Sequence, residues 1–350
     1  MPLIDMHTHF FPSGLLDELA RRHSAPCVEV DDGITYVRYA ADRRFPLRAE
    51  MTDLDAKLAD MDRLGIDVSI LSVTMPGVDG LGDDAARVAR TANDQLAELT
   101  SAHAARLGWV AVLPMDAPAA AGAELRRAVG MGARGAMIYS NVAGRPVDLD
   151  VDRPLFETAC ELDVPILLHP TLPLSAATLQ EFELISTLGY LFDTTTAALR
   201  LTLSGMFTRY PNLKFVVCHA GSLLPYQAGR IDHQAMNRPG GHGPIAGTPS
   251  EELRKLYTDS VCLHPPTLRY VVDFFGASKV MMGSDHPQWS MAGGVSTVRD
   301  TRLSADERAL VESGTAAALF KWSFTGLPLS PEAPQPPRTV DGGRRHPTNR

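Results

Sequence analysis

The sequence predicts an α/β protein folded as a (β/α)8 TIM barrel, with a small β-rich insertion after the first strand. Three observations lead there. Eight short apolar runs recur along the chain, separated by segments of helical period. The length of 350 residues, 45% of them hydrophobic, suits one large barrel core. Several of the apolar runs end in or are followed closely by His or Asp, and a barrel gathers the C-terminal ends of its strands on one rim. An open sheet fits eight strand–helix pairs less well.

Taken in order, residues 2–6 form the first strand. Residues 10–52 then break the repeat, and the alternation in Ile34-Thr-Tyr-Val-Arg-Tyr39 reads as a β-rich flap. A loop that follows a barrel strand lies on the catalytic face, so this flap should cover the mouth. Helix 53–64 ends at Gly65, strand 67–73 follows, and helix 83–105 opens after a Gly-rich turn. Strand 107–113 leads to helix 117–131, which ends at Gly132. Strand 134–139 leads to helix 152–162, strand 164–168 to helix 194–210, and strand 213–218 to helix 222–237. Strand 256–261, helix 265–275 and strand 279–282 precede a last helix, 304–322, where Ser304 and Glu307 have the spacing of a capping box. The barrel domain therefore spans 1–325. Residues 326–350, rich in Pro, Arg and Gly, are expected to be a flexible tail.

The formal charge of −8, with five lysines and no basic run, argues against a nucleic-acid or anionic-membrane surface. No stretch has the length of an apolar membrane span, and the start Met1-Pro-Leu-Ile-Asp-Met6 has no basic n-region, so a cytoplasmic protein is expected. Cys27, Cys160, Cys218 and Cys262 are widely spaced without a CxxC pair and read as reduced thiols.

The chemistry lies at the strand ends. His7 and His9 are two residues apart, a spacing that points both imidazoles the same way from a strand. His169 closes Pro165-Ile-Leu-Leu-His169, His219 closes Phe215-Val-Val-Cys-His219, and Asp285 follows Val280-Met-Met-Gly-Ser. Taken singly, each could be a solvated polar residue capping a strand; together, on a barrel rim, they converge. His7, His9, His169 and Asp285 are the expected ligands of one divalent metal, Zn²⁺ first and Mn²⁺ as the rival. His219 is assigned to acid/base work, since imidazole titrates near neutrality, and Asp285 is a second candidate for moving a proton. The fourth strand carries no Lys that could bridge two metals, so a mononuclear site is expected. Arg230, eleven residues after His219, is a candidate carboxylate receptor, with a surface pairing to Asp232 as the plainer reading. His286 is a candidate for substrate contact or for support of the ligands; His264 lies near another strand end.

Several segments add to this reading. Asp5-Met-His-Thr-His-Phe-Phe-Pro12, Leu203-Ser-Gly-Met-Phe207, His219-Ala-Gly-Ser222, Gly229-Arg-Ile-Asp232 and Gly283-Ser-Asp-His-Pro287 resemble the decarboxylase branch of the amidohydrolase superfamily, whose type is α-amino-β-carboxymuconate-ε-semialdehyde decarboxylase. The resemblance runs to about residue 324. It implies zinc on His7, His9, His169 and Asp285, His219 assisting the metal-bound water or substrate, Arg230 on a substrate carboxylate, and a homodimer in which this Arg can serve the neighbouring pocket. Three departures stand out. The flap arginine of the family could be Arg43, Arg44 or Arg48; Thr171 stands where the muconate enzyme has a bulky aromatic; and His286 replaces an aromatic.

The expected function is non-oxidative decarboxylation of an aromatic or unsaturated carboxylic acid. A metal-dependent hydrolase or hydratase using the same residues is the alternative, and His286 gives it weight. A binding scaffold without turnover is the third reading, disfavoured by the intact five-residue set.

Overall fold

The structure is a computed structural model and describes residues 2–324. Strand β1 (Ile4–His9) enters the barrel. It is followed by a three-stranded antiparallel sheet of β2 (Cys27–Asp31), β3 (Ile34–Ala40) and β4 (Arg43–Pro46). The remaining barrel strands are β5 (Val68–Ser72), β6 (Leu107–Trp109), β7 (Ala111–Val112), β8 (Ala136–Tyr139), β9 (Ile166–His169), β10 (Phe215–Val217), β11 (Tyr257–Asp259) and β12 (Val280–Met281). All pairs between these barrel strands are parallel. They run in two arcs, β1-β5-β6 and β7-β8-β9-β10-β11-β12.

Two seams join the arcs into a ring. At one, β6 and β7 are halves of a single extended stretch around Val110: Val110 N donates to Leu71 O at 3.0 Å, and Ala111 N to Gly135 O at 2.8 Å. At the other, the last strand meets the first. Met6 N donates to Met282 O at 3.0 Å, Asp285 N to His7 O at 2.8 Å, and His9 N to His286 O at 2.8 Å. Eight strands, counting β6 and β7 as one, thus close as the apolar runs predict.

Ile4, Met6, Val68, Ile70, Val110, Met137, Leu167, Val216 and Met281 fill the barrel as one buried cluster. The alternate residues, such as Leu71, Trp109, Ile138, Leu168 and Phe215, pack outward against the helices in a larger cluster. Burial on both faces explains why the strands read as continuous apolar runs. β1 departs from strict alternation. Its pairing with β5 steps three residues from Asp5 to Thr8 against two from Ser69 to Leu71, a one-residue bulge. The bulge lets Ile4 and Met6 fill the interior and then turns His7 and His9 inward as well, with Thr8 facing outward.

The helices hold close to the predicted spans. They include α1 (Ser13–Ala20), α2 (Leu54–Leu64), α3 (Ala85–Ser101), α4 (Pro118–Gly130), α5 (Arg153–Leu162) and α6 (Tyr190–Leu203). After these come α7 (Met206–Arg209), α8 (Leu224–Asn237), α9 (Pro249–Leu253), α10 (Pro265–Phe275), α11 (Met291–Asp300), α12 (Ala305–Ala309) and α13 (Thr315–Leu319). Asp53 caps α2 by accepting from Asp55 N and Ala56 N, and Gly65 ends it at φ 69°. The expected capping box at Ser304 and Glu307 is present. The single helix expected over 194–210 starts earlier and breaks at Gly205, which takes φ 81°. The inserted flap also contains a helix, α1, that the β-rich reading did not anticipate. α11 was not anticipated either. The expected tail, 326–350, lies outside the described residues.

Candidate metal centre

Four imidazoles and one carboxylate meet at the C-terminal rim. Ring centroids are 5.0 Å apart for His7 and His9, 5.2 Å for His7 and His169, 5.2 Å for His7 and His219, 5.0 Å for His9 and His169, and 5.3 Å for His169 and His219. Asp285 lies among them: its Oδ1 is 2.8 Å from His9 Nε2 and 3.5 Å from His7 Nε2, and its Oδ2 is 3.3 Å from His219 Nε2. Ligand atoms of His7, His169, His219 and Asp285 all fall within 4.8 Å of one another. The expected set had His9 where this mutual grouping has His219; His9 instead packs directly on Asp285.

The outer nitrogens of three rings are already spent. His7 Nδ1 donates to Asp259 Oδ2 at 2.7 Å, and His169 Nδ1 donates to Pro170 O at 2.8 Å. Ser72 Oγ gives its proton to Thr8 O at 3.1 Å, so it accepts from His9 Nδ1 at 3.0 Å. Each ring therefore turns a bare Nε2 inward. His7 Nε2 and His169 Nε2 are buried without any hydrogen-bond partner. His9 Nε2 faces a carboxylate oxygen at 2.8 Å, an acceptor against an acceptor. Buried polar atoms are normally satisfied, and facing acceptors need a positive charge between them. A divalent cation supplies it, and neutral imidazole with carboxylate is its ordinary donor set.

Electrostatics agree. Burial pushes His9 down to about 4, with Asp285 opposing only in part. Burial and the charges of His9 and His7 push His169 well below the usual imidazole range. Burial would raise Asp285, but the surrounding His219, His9 and His7 rings outweigh it and hold the carboxyl well below its ordinary value. His9 and His169 thus stay neutral and the acid stays ionised, as ligands must be. His7 is the exception: burial would lower it, but Cys218 and the hydrogen bond to Asp259 outweigh that and hold it well above the usual imidazole range, so a metal on its Nε2 would have to displace a proton.

Asp259 braces the arrangement. Besides His7 it accepts from His219 N at 3.0 Å, Ala220 N at 2.8 Å and Val261 N at 3.0 Å. The segment after β10 can present these amides because His219, Ala220, Gly221 and Ser222 all take positive φ, between 54° and 72°. Sequence reasoning took 256–261 as a plain apolar strand. The signal was an acid in the middle of a buried run, Tyr257-Thr-Asp-Ser-Val261.

Two expected site residues are placed elsewhere. His286 is buried against α2, with Nε2 3.2 Å from Asp60 Oδ2 and Nδ1 3.3 Å from Lys57 Nζ. This places it on the Thr8 side of β1, facing α2, where of the two expected roles it fits support of the ligands rather than substrate contact. The cause is geometric: Asp285 takes φ 57°, so the next side chain leaves in another direction. Arg230 is exposed on α8 and has no hydrogen-bond partner among the described residues; Asp232, its presumed surface mate, binds Ser250 N at 2.8 Å and Ser250 Oγ at 2.7 Å. The three flap arginines also separate. Arg44 pairs with Glu29 and Asp31 over the Tyr36 ring, Arg48 donates to Pro287 O at 2.6 Å, and Arg43 reaches Gln180 while its Nε stays buried and unpartnered. Beside Arg43, Tyr39 and Tyr190 join hydroxyls at 2.9 Å, tying the flap to the start of α6.

A sequence model of the amidohydrolase family matches residues 4–322. The chain belongs to that family. Several curated decarboxylases are similar to it. The γ-resorcylate decarboxylase of Polaromonas sp. (strain JS666) is 32% identical, with 81% of this chain and 92% of that protein aligned. The 2-amino-3-carboxymuconate-6-semialdehyde decarboxylase of Dictyostelium discoideum is 28% identical, with 81% of each chain aligned. Among solved structures, 5-carboxyvanillate decarboxylase from Sphingomonas paucimobilis superposes with a TM-score of 0.82 at 27% identity, covering 92% of this chain and 99% of that one. The dihydroxybenzoic acid decarboxylase of Polaromonas sp. JS666, solved with manganese and 2-nitroresorcinol bound, gives 0.78 at 28% identity, covering 91% and 97%.

Proposed function

We propose that this family member is a non-oxidative decarboxylase of an aromatic or unsaturated carboxylic acid, with one divalent metal held by His7, His9, His169 and Asp285. The observation that carries the reading is the pair of bare, buried Nε2 atoms of His7 and His169 beside Asp285, in a chain similar to several decarboxylases. When bound, the metal supplies Lewis acidity and a fixed point for an oxygen of the substrate. Three imidazoles and a carboxylate suit Zn²⁺; the manganese in a related decarboxylase makes Mn²⁺ the rival.

The chain's own residues do the rest. The His219 side chain is 13% exposed, against 0% for His7 and His9, so it is the imidazole best able to meet a substrate. In this reading His219 delivers a proton to the carbon that bears the carboxylate, the bond from that carbon to the carboxylate breaks, and CO₂ leaves. Asp285, 3.3 Å away, orients the His219 ring. The hydrolase alternative drew weight from His286, which faces Lys57 and Asp60 instead.

Arg230 supports a homodimer. It stands exposed on α8, one turn from exposed Tyr226, which stacks on exposed Tyr270 at 5.0 Å. In the dimer it would hold the carboxylate of a substrate in the neighbouring pocket. The four free cysteines fit a reducing cytoplasm. Among the described residues no helix is long and apolar enough to cross a membrane.

The test is incubation of metal-replete protein with carboxylated phenols and muconates in D₂O, with CO₂ release followed. Decarboxylation puts deuterium on the carbon that lost its carboxylate and no solvent oxygen into the product. Oxygen incorporation without CO₂ sinks the reading in favour of hydrolysis.

A further inference from the structure

The seam where β12 meets β1 delivers three of the four proposed ligands, His7, His9 and Asp285, yet it is the least regular pairing in the barrel. β12 is two residues long, and beyond it the ladder is reduced to a bridge between Thr8 and His286. Side chains do the work that a longer ladder does elsewhere. On one side Asp5 accepts from Ser284 N at 3.0 Å and from Ser284 Oγ, fixing the turn just before Asp285.

Lys57 does it on the other side. It is the fourth residue of α2, it is 0% exposed, and it lies among the largest fully buried side chains of the protein. A buried lysine is expensive unless its donors are used. Here Nζ donates to Thr8 Oγ1 at 2.7 Å and lies 3.3 Å from His286 Nδ1. Thr8 passes its own proton to His286 O at 3.0 Å. Asp60, one helical turn from Lys57, takes the other nitrogen of His286 at 3.2 Å. Thr8 stands between His7 and His9, and His286 adjoins Asp285. One ammonium thus ties together the two backbone segments that aim three ligands.

We infer that Lys57 is a positioning residue for the metal centre, holding β1 and the segment 284–287 in register so that His7, His9 and Asp285 converge. This rests on the metal-dependent reading above. Lys57 touches neither the ligand side chains nor the cavity they face, so it acts only through Thr8 and His286. Partners of this kind, once removed, typically weaken metal binding about 10- to 100-fold. The misplacement needed is small, since ligand sets tolerate errors of only about 0.5 Å.

The experiment is Zn²⁺ affinity of the full chain, measured in competition with a chromophoric chelator, beside the melting temperature of the metal-free protein. Lys57→Met is expected to weaken Zn²⁺ binding 10- to 100-fold and to speed its release. Lys57→Arg should recover part of the loss, because it can still donate to Thr8. Thr8→Val removes the acceptor without burying or unburying a charge, and should weaken binding in the same direction. Met61→Ala, on the same buried face of α2, serves as the control: it should lower the melting temperature and leave the affinity alone. If Lys57→Met does not fold, Thr8→Val decides. Wild-type affinity in a folded Lys57→Met or in Thr8→Val overturns this proposal alone, as does an equal weakening by Met61→Ala. A wild-type chain that takes up no divalent metal overturns the functional reading and this proposal together.

Discussion

The two ends of the barrel use polar groups in opposite ways. At the C-terminal rim, His7 Nε2, His169 Nε2, His219 Nδ1 and both oxygens of Asp79 are buried without a hydrogen-bond partner. At the N-terminal end the charges are paired. Asp163 binds Lys214 at 2.7 Å and Lys321 at 2.9 Å, while Arg134 donates to Phe320 O and Lys321 O, each at 2.9 Å, with its guanidinium 4.3 Å over the Trp322 ring. Arg134, Asp163, Phe320 and Lys321 line a cavity of about 250 Å³ that contains none of the clustered histidines. An open hollow is thus a poor guide to the site in this fold. A cluster of unsatisfied buried atoms is a better one, since one ligand would complete several at once, whereas isolated ones such as Trp322 Nε1 near the opposite end mark no site.

That contrast can be broken by experiment, beginning with the largest effect. Asp285→Asn should lose most of the bound metal and nearly all turnover, and chelation of the wild type should do the same, with Zn²⁺ or Mn²⁺ restoring activity; elemental analysis and CO₂ release report both. Two stoichiometric metals in this pocket would instead reject the mononuclear reading. His219→Asn should keep its metal while turnover falls about a hundred- to ten-thousand-fold, the usual contribution of a general acid/base. Loss of metal as complete as in Asp285→Asn would show that His219 is a ligand, as its place in the mutual grouping of ligand atoms allows.

At the opposite end, Arg134→Ala should cost about 1.5–3 kcal/mol of stability through its charged hydrogen bonds and leave kcat/KM unchanged. A kinetic effect there would erase the division between the two ends. Asp79 probes a rim group outside the metal cluster. Burial, then the nearby Asp116 charge, raises its carboxyl well above the ordinary value of 3.8. The folded state therefore holds a proton that the unfolded chain releases, and Asp79 makes stability fall as pH rises above 3.8 toward the folded value. Asp79→Asn should flatten that fall and stabilise the protein at neutral pH by about 1–3 kcal/mol, seen in denaturant melts across pH. An unchanged pH profile would mean that the carboxyl finds a partner. The smallest effect is expected from Asp163→Asn: its ion pairs are exposed, so stability should change by about 0–1 kcal/mol and activity not at all.

Much of this was legible in the sequence because it depends on local pattern. The eight runs became eight strands, since burial on both faces leaves a continuous apolar signature. His7, His9, His169, His219 and Asp285, which the structure brings together, stood out because they interrupt or end those runs. What was missed depends on distance or on direction. β1 extends past Met6 because His7, Thr8 and His9 are themselves buried, so their polarity read as a strand end. α1, in Ser13-Gly-Leu-Leu-Asp-Glu-Leu-Ala20, is only eight residues long and was absorbed into the flap. Lys57 and Asp259 meet partners 229 and 252 residues away, and no spacing rule joins them. The direction of His286 was not legible either, because adjacency to Asp285 says nothing about direction once the backbone enters a left-handed conformation.

The bulge in β1 has a consequence for anyone building such a centre into another barrel. A straight strand alternates, so a His-x-His pair grafted one residue after an inward Met would aim both imidazoles at the helices. The extra residue between Asp5 and Thr8 is what lets core-filling side chains and the two clustered imidazoles occupy the same wall. A transplant that copies the histidines must copy that irregularity too, and deleting one residue from the strand should turn the pair outward while the barrel still closes.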